Sequence, residues 1–411
     1  MVPKGWILST FEKHIDLLSG CAFKSAGYTE NDEDVRLLRG DNIVPNSLRW
    51  RNAKRWPASE LHKYERYKLQ EHDFVIAMDR TWVSSGVKVS EISISDLPCL
   101  LVQRVSRIRA LDTLDQSLLK QYFSGHRFEQ YVKSVQTETA VPHISAQQIK
   151  EFSFLLPPLS EQRKIAKILS TWDKAIAITE KLIETNKQQK KALMQQLLTG
   201  KKRLAGFEQG WRYQPIKDIS TRIQRKSDGQ EHPVLTISSL AGFVTQAEKY
   251  SRYMAGKSVK NYILLKGGEF AYNKGNSKTY QFGCVFDLET FDSGLVPHVY
   301  VCFKLKEGLS HRYFKYLFEA DYLKPQLAGL VNTGVRNNGL LNIKPAEFLN
   351  TVVPVPSYQE QVRIADVLHA SSLELKKLEA KLKLLKEEKK ALMQQLLTGN
   401  RRVKVADEQA T

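Results

Sequence analysis

The sequence has few cysteines, and they form no pattern that would hold a metal ion or a disulfide framework. Its 411 residues include four cysteines, and no Cys-x-x-Cys pair is present. Closely spaced cysteines mark zinc sites, and cysteine-dense short chains mark secreted disulfide scaffolds. We therefore expect free thiols in a cytoplasmic protein, at Cys21, Cys99, Cys284 and Cys302.

Long apolar segments are also missing. The uninterrupted apolar runs span only a few residues, whereas a membrane helix needs about 20. Residues 1–10 lack the apolar stretch of a signal peptide, so we expect neither a leader nor a membrane anchor. Apolar residues nevertheless make up 42% of the chain and charged residues 26%, which is typical of a chain that folds into two or three globular domains.

Motifs of nucleotide and metal chemistry are absent as well. No Gly-x-Gly-x-x-Gly occurs, and residues 275–279 (Gly-Asn-Ser-Lys-Thr) lack the glycines of a phosphate loop and predict a turn. The pair Pro157-Pro158 lacks the flanking polar and aromatic residues with which amino-methyltransferases hold a flipped base. The nine histidines show no metal-ligand spacing. We expect no catalytic residue, metal site or cofactor in this chain.

Positive charge is abundant. The chain has 62 Lys and Arg residues against 44 Asp and Glu, a net charge of +18, which indicates a polyanionic partner. Nucleic acid is the usual one, and an anionic membrane surface is the alternative. Basic clusters at 201–203 and 401–404 fit two interpretations, which the sequence leaves open: cations that stabilise a helix C-terminus, or contacts with phosphate or a partner.

The chain contains an internal repeat. Residues 190–200 recur letter for letter as residues 389–399, an offset of 199. The same offset aligns Glu161-Gln162 with Glu360-Gln361. This period is too long for a solenoid, so the repeat indicates a duplicated unit consisting of a globular segment and a helix.

Apolar residues in both copies of the helical segment recur at alternating spacings of four and three. Prolines precede each segment, and Gly200 and Gly399 follow it. Five uninterrupted heptads in each copy predict two long helices that pair as a coiled coil, the alternative being that each helix packs on its own domain. The predicted seam consists of Ile165, Leu169, Trp172, Ile176, Thr179, Ile183, Asn186, Lys190, Leu193 and Leu197, and of Ile364, Leu368, Ser371, Leu375, Leu378, Leu382, Leu385, Lys389, Leu392 and Leu396.

The direction of pairing follows from the chain order. Since the first helix leads into the second globular segment, the second helix must run back beside it to bury both seams. We therefore expect an antiparallel coiled coil with a pseudo-two-fold axis and with the domains at opposite ends of a rod about 60 Å long. The polar seam positions Asn186, Lys190 and Lys389 are candidates for fixing the register.

The globular segments mix the two kinds of secondary structure. Strands are predicted at 74–77, 100–105, 269–272 and 299–303, and helices at 117–123 and 311–318. The predicted fold class is α+β, with two mixed α/β globular domains alternating with two long helices. The predicted segments are 1–157, 158–203, 204–356, 357–404 and a tail at 405–411.

These features resemble a known family. Leu-Pro-Pro-Leu-Ser-Glu-Gln at 156–162 leads into a helix that ends Leu-Met-Gln-Gln-Leu-Leu-Thr-Gly, and the same helix returns after a divergent domain. This arrangement resembles the specificity (S) subunit of type I restriction–modification systems over essentially the whole chain. The match is looser within the domains, where residues 73–81, 139–144 and 268–275 resemble family loops.

The resemblance implies a non-catalytic subunit that selects a DNA sequence. It also implies two modification subunits, which bring S-adenosylmethionine and methylate adenine, and restriction subunits that use ATP and Mg²⁺. The alternatives are a nuclease or methyltransferase, a scaffold without DNA affinity, and half of a fused restriction–modification polypeptide. The missing catalytic motifs argue against the enzyme, the positive charge argues against the scaffold, and the length of 411 residues argues against the fused polypeptide.

Candidate DNA contacts are polar and basic residues on loops between predicted strands, because such side chains suit base edges and phosphates. The two sets differ, so we expect an asymmetric bipartite target in which each domain reads one half. A rod of about 60 Å spans about 17 base pairs and sets the spacer. The candidates are Arg80, Thr81, Trp82, Lys88 and His143 in the first domain, and Asn273, Lys274, Asn276, Lys278, Tyr280, Gln281, Arg336 and Asn337 in the second.

The repeated string also predicts a docking face. Pairing between the helices constrains only the seam, yet the off-seam residues of the string are identical too. We expect these residues to bind the same surface of two identical modification subunits; recent duplication is the alternative. The predicted partner contacts are Met194, Gln195, Leu198, Met393, Gln394 and Leu397.

Overall fold

The structure is a computed structural model that describes residues 2–249, 259, 261–331 and 341–405. The chain forms two compact units: unit 1 comprises Met1–Glu180 and Ala380–Thr411, and unit 2 comprises Lys181–Glu379. Each unit contains one globular part, here called domain 1 or domain 2, and about half of each of two long helices. The predicted α+β class is confirmed.

Domain 1 is built mainly of short strands, because buried β-branched and aromatic residues alternate with frequent turns. Its strands are β1 (Ile7–Thr10), β2 (Ile15–Ser19), β3 (Val35–Leu38), β4 (Ile43–Val44), β5 (Ser47–Leu48), β6 (Arg55–Trp56), β7 (Phe74–Ala77), β8 (Trp82–Val83), β9 (Gly86–Val87), β10 (Val89–Glu91), β11 (Cys99–Leu101), β12 (Val105–Ala110) and β13 (Ser153–Leu156). Its helices are α1 (Gln116–Phe123), α2 (His126–Val135) and α3 (Ala146–Lys150), and the long helix α4 (Leu159–Leu197) follows.

Domain 2 repeats this plan with different residues. Its strands are β14 (Arg212–Pro215), β15 (Ser220–Ile223), β16 (Leu235–Ser238), β17 (Gly242–Thr245), β18 (Ile263–Lys266), β19 (Phe270–Asn273), β20 (Cys284–Asp287), β21 (Ser293–Val296), β22 (Val301–Leu305) and β23 (Val352–Val355). Its helices are α5 (Ile216–Ile219), α6 (Gln246–Lys249), α7 (His311–Glu319), α8 (Lys324–Leu330) and α9 (Pro345–Leu349), and the second long helix, α10 (Tyr358–Leu396), follows.

A four-stranded antiparallel sheet forms the centre of each domain. The strand order is β10-β7-β12-β2 in domain 1 and β15-β22-β19-β20 in domain 2. In domain 1, β12 pairs with β7 so that Val105 lies opposite Ala77, and in domain 2, β19 pairs with β22 so that Phe270 lies opposite Phe303. A three-stranded sheet, β11-β3-β6, adds to domain 1.

Most predicted elements are confirmed, but the strand predicted at 100–105 is wrong. The chain turns between β11 and β12, where the Val105 amide donates to the Val102 carbonyl at 3.2 Å and Arg104 has a left-handed φ of 63°. The strand predicted at 299–303 begins only at Val301, because the Tyr300 amide closes a turn onto the Pro297 carbonyl at 3.0 Å.

The long helices are antiparallel in each unit. In unit 1, Asp173 pairs with Lys389 at 2.6 Å and Glu180 with Lys386 at 2.7 Å, so residue numbers rise along α4 as they fall along α10. In unit 2, Lys187 of α4 pairs with Glu379 of α10 at 3.0 Å, which continues that trend. These contacts confirm the predicted antiparallel coiled coil. No helix in the described part of the chain is long and apolar enough to cross a membrane.

The ends of both long helices also belong to the domain cores. In unit 1, Ile165 near the start of α4 and Leu396 at the end of α10 are buried in the core of domain 1. In unit 2, Ile364 near the start of α10 and Leu197 at the end of α4 are buried in the core of domain 2. Each domain therefore packs on the beginning of one long helix and the end of the other.

This packing corrects the predicted docking face. The side chains of Met194, Leu198, Met393 and Leu397 are at most 8% exposed and belong to the domain cores, so their contacts are mainly within the chain. The heptad pattern identifies the seam but does not show that the neighbouring face of each helix end meets its own domain. The Gln195 and Gln394 side chains remain exposed.

The three predicted register residues make three different contacts: one pairs with the other long helix, one with domain 2, and one within its own helix. Lys389 pairs with Asp173 of α4, and Lys190 pairs with Glu319 of domain 2. The Asn186 amide donates to the Leu182 carbonyl of its own helix at 2.9 Å. The two lysines therefore make the specific polar contacts at these positions, whereas Asn186 bonds locally.

Candidate nucleic-acid interface

The candidate surface of unit 1 lies on the segment between β7 and β10, which includes the short hairpin of β8 and β9. Arg80 is exposed there, and its left-handed φ of 46° turns the chain after Asp79. The Arg80 amide donates to the Pro142 carbonyl at 2.6 Å. This bond joins the loop to a second loop, the one that carries His143.

Asp79 is the centre of this surface. Its carboxylate accepts hydrogen bonds from His143 Nδ1 at 2.8 Å and from Arg104 Nη1 at 2.7 Å. Burial opposes ionisation of Asp79, but the hydrogen bonds and charges of Arg104 and His143 outweigh it and hold the pKa of Asp79 below its usual range. The carboxylate therefore stays charged and orients the Arg104 guanidinium and the His143 imidazole.

Asp79 and Arg104 are two residues of this surface that were not predicted from the sequence. Arg104 lies within the segment predicted as a continuous strand. Its partner Asp79 is 25 residues away in the sequence, and no local pattern links the two residues. The Arg104 side chain is 69% exposed, so its guanidinium is accessible beside Arg80. The turn between β11 and β12 therefore adds a basic group to the surface.

Three predicted DNA contacts of unit 1 form bonds that hold the loop in place. Thr81 is fully buried, and its hydroxyl donates to the Ala77 and Met78 carbonyls at 2.7 and 3.0 Å. Trp82 Nε1 donates to Glu129 at 3.0 Å. A buried hydroxyl with two backbone partners cannot reach a base edge, so the assignment of Thr81 as a DNA contact is corrected.

Lys88 is the third of these residues. Its ammonium group donates to the Gly40 carbonyl, and its backbone amide donates to the Thr81 carbonyl at 2.7 Å. Burial lowers the pKa of Lys88, and the charge of Asp41 partly offsets this effect. The Lys88 side chain therefore fastens the loop to the turn after β3.

The candidate surface of unit 2 is the loop 274–283, which connects β19 to β20. Gly283 closes it with a left-handed φ of 86°, and a Cβ there would lie 2.5 Å from the Asn273 carbonyl oxygen, so only glycine fits. The Ser277 amide donates to the Tyr280 carbonyl at 2.9 Å. The interpretation of residues 275–279 as a turn is confirmed.

Tyr280 is not at the surface. Its side chain is 8% exposed, and its hydroxyl donates to the Glu319 carbonyl at 3.3 Å. Burial raises the pKa of Tyr280 to about 12. The hydroxyl thus remains protonated and fixes the loop to the end of α7, which corrects its assignment as a DNA contact.

The other candidates of unit 2 differ in exposure. Asn276, Lys278 and Gln281 are exposed, whereas Asn273 and Lys274 are half-buried. Asn273 Oδ1 accepts the Gly275 amide at 3.0 Å, which shapes the start of the loop. Arg336 and Asn337 lie outside the described residues.

The two surfaces carry different chemistry. Exposed guanidinium groups, as in Arg80 and Arg104, suit the paired acceptors of guanine, and exposed amides, as in Asn276 and Gln281, suit adenine. Lys278 suits a phosphate. The arrangement is suited to binding base edges and phosphates.

The described residues contain no group of His, Cys, Asp and Glu side chains that could hold a metal ion. The buried thiols are also inert, because burial raises the pKa of Cys99, Cys284 and Cys302 to about 12.

Comparison with known proteins identifies the family that the chain resembles. Residues 20–188 match the type I restriction modification DNA specificity domain. The chain is 35% identical over 191 residues to the EcoAI specificity subunit of Escherichia coli, covering 46% of this chain and 31% of that protein. It is 29% identical over 204 residues to the MjaVIII specificity subunit of Methanocaldococcus jannaschii, covering 49% and 48%. The matched region therefore spans less than half the length of either relative.

Solved structures show the same fold along nearly the whole chain. The S subunit of a type I restriction–modification system from M. genitalium has a TM-score of 0.58 at 13% identity and covers 96% of both chains. A chain from a structure of type I system assembly and conformational transition has a TM-score of 0.56 at 14% identity and covers 98% of this chain and 100% of that one. These matches confirm the predicted resemblance to type I specificity subunits.

The Asp79 cluster predicts how the stability of unit 1 depends on pH. Since the pKa of Asp79 is lowered on folding, its contribution is present above about pH 4 and is lost as the pH falls through the lower folded value. The substitution Asp79→Asn should reduce the free energy of unfolding by about 0.5–1 kcal/mol at pH 7. Urea unfolding between pH 2.5 and pH 7 measures the difference.

The control is Asp41→Asn, because the Asp41 side chain is 69% exposed and lies 3.8 Å from Arg39. This exposed pair should change stability by less than about 0.5 kcal/mol. A difference between wild type and Asp79→Asn that persists unchanged at pH 2.5 would contradict the assignment.

Proposed function

We propose that this chain is the DNA sequence-specificity subunit of a type I restriction–modification complex, in which each domain reads one half of an asymmetric bipartite site. One observation carries the proposal. The same contacts between domain and helix ends are built twice, around loop surfaces whose exposed side chains differ. A repeated scaffold with two different binding surfaces suits recognition of two different half-sites.

The long helices supply the spacer in this proposal. Each helix has 39 residues, which corresponds to about 58 Å, or about 17 base pairs of B-form DNA. The net charge of +18 supports binding to the DNA backbone, independently of the sequence being read. Base selection then depends on the exposed loop residues, such as Arg80 and Arg104 in unit 1 and Asn276 and Gln281 in unit 2.

Catalysis belongs to the partners in this proposal. Two modification subunits bring S-adenosylmethionine and methylate adenine, and restriction subunits bring ATP and Mg²⁺. This chain contributes sequence selection and a platform for assembly. The proposal draws support from the two loop surfaces, which offer hydrogen-bonding groups and cations without an activated nucleophile.

Exchange of one domain tests the recognition proposal. Domain 2 is replaced by that of a relative with a different loop at 274–283, and the chain is expressed with its modification subunits. Mapping of methylated adenines across the genome should show one half-site changed and the other retained, because the domains form separate cores. A change in both half-sites would contradict the separate-reading proposal, and an unmodified genome with the wild-type chain would contradict the function itself.

The docking face for the modification subunits is proposed on the exposed residues of the repeated string. Lys191 and Gln195 are exposed and spaced four apart on one side of α4, as are Lys390 and Gln394 on α10. The half-buried Thr199 and Thr398 follow just beyond the helix ends. Packing does not constrain the exposed lysine and glutamine, yet they are identical in both copies. The α10 equivalents Lys390, Gln394 and Thr398 line a cleft of about 1020 Å³ in unit 1, which has room for a segment of a partner.

Charge substitution tests this face. Lys191→Glu with Gln195→Glu should remove one modification subunit, and Lys390→Glu with Gln394→Glu should remove the other, because each pair inverts the charge of an exposed surface without disturbing a core. Native mass measurement counts the partners. The control is Lys181→Glu with Gln189→Glu, exposed residues of α4 outside the string. Two partners bound to both test variants would contradict the assignment.

A further inference from the structure

The first lysine of the repeated string has little access to water in both units. The side chains of Lys190 and Lys389 are only 13% and 11% exposed. An ammonium group with so little access to water needs a carboxylate or several acceptors nearby. The two copies of the lysine meet this requirement in different ways.

In unit 2 the lysine reaches domain 2 directly. Lys190 Nζ donates to Glu319 Oε1 at 2.6 Å, and it also lies 5.4 Å from the centre of the Tyr316 ring. Glu319 is the last residue of α7. Its backbone carbonyl accepts the hydrogen bond from the Tyr280 hydroxyl at 3.3 Å. A short chain of contacts therefore connects the long helix to the loop 274–283.

Tyr280 is also part of the turn in that loop. Its amide donates to Ser277 Oγ at 3.0 Å, and its carbonyl accepts the Ser277 amide at 2.9 Å. Lys278 is exposed between these two residues. Because the Tyr280 side chain and backbone anchor this turn, a displacement of Glu319 is transmitted to the exposed residues at its tip.

In unit 1 the equivalent lysine makes no such connection. Lys389 pairs with Asp173, a residue of α4, at 2.6 Å, and Asp173 also accepts Gln121 Nε2 of α1 at 2.8 Å. The loop of unit 1 that carries Arg80 is held separately, through Asp79 and Lys88. The contact between the helix lysine and the end of α7 is thus a feature of unit 2.

We propose that Lys190 and Glu319 are positioning residues for DNA reading by unit 2: the ion pair holds the end of α7, and with it Tyr280 and the turn 277–280, in the orientation that presents Lys278 and its neighbours to DNA. This inference rests on the proposed function. It adds a role for a helix residue that lies outside the loop and contacts no DNA itself.

A positioning role and a merely stabilising role predict different outcomes. The Lys190 side chain is 13% exposed and the Glu319 side chain 36%, and replacing both partners of such a partly buried ion pair by apolar or neutral groups changes global stability little. Loss of orientation, by contrast, loosens the segment that the pair holds. The double replacement Lys190→Met with Glu319→Gln should therefore keep the melting temperature while the turn 277–280 opens more often.

Hydrogen exchange in the full chain without DNA measures this opening. The amides of Ser277 and Tyr280 should exchange about tenfold faster in Lys190→Met, in Glu319→Gln and in the double replacement. The double variant should be no faster than either single variant, since all three remove the same ion pair. Exposed Lys187→Met is the control, and Lys389→Met should leave these amides unchanged. Unchanged exchange at Ser277 and Tyr280, or additive effects in the double variant, would overturn the proposal.

A second readout uses the assembled modification complex and its mapped DNA site. Lys190→Met should weaken DNA binding about tenfold and reduce the dependence on salt concentration by about one phosphate contact, whereas Lys187→Met should change neither. Faster loop exchange with unchanged DNA binding would overturn the positioning role. Failure of the wild-type complex to bind DNA would refute the proposed function, while the exchange experiment would still decide whether the ion pair orients the loop.

Discussion

The arrangement of each unit depends on a buried glutamate at the start of a long helix. Glu161 is 6% exposed and accepts Trp6 Nε1 at 3.3 Å and Arg402 Nε at 2.9 Å. A carboxylate this far from water is stable only with such partners. Trp6 precedes β1, Glu161 lies in the first turn of α4, and Arg402 follows α10. This one contact therefore joins three distant parts of the sequence within unit 1.

Unit 2 repeats this contact with its own residues. Glu360 is 1% exposed and accepts Trp211 Nε1 at 2.9 Å and Arg203 Nε at 2.6 Å. The basic cluster after each long helix thus supplies one arginine to a buried glutamate, a role that neither interpretation drawn from the sequence included. Gly200 and Gly399, with φ of 71° and 70°, let the chain turn from the helix end toward each tryptophan.

These junctions explain part of the identity between the helix ends. Met194 and Leu198 pack into one domain core, and Met393 and Leu397 pack into the other, so the same apolar side chains are needed twice. The exposed Gln195 and Gln394 have no such reason to agree. The proposed docking of two identical partners would require them to agree, whereas the exposed loops of the two domains have diverged.

The sequence allowed prediction of the long helices because a heptad pattern sustained over 39 residues has few other solutions. It did not reveal which off-seam face meets a domain, since that depends on contacts between residues far apart in the chain. The loops show the same limit. Residue type marked Thr81 and Tyr280 as polar candidates, but only the fold shows that both hydroxyls point inward to backbone carbonyls. Arg104 was missed because its role depends on a long-range contact with Asp79.

The central claim is that the chain consists of two copies of one helix–domain junction, each closed by its own glutamate. Hydrogen exchange in Glu161→Gln and Glu360→Gln tests it most directly, because glutamine keeps the side-chain shape and removes the charge. The account predicts that Glu161→Gln loosens amides of unit 1 and leaves those of unit 2 protected, and that Glu360→Gln does the reverse. Equal loss of protection in both units from either substitution, or none from both, would contradict it.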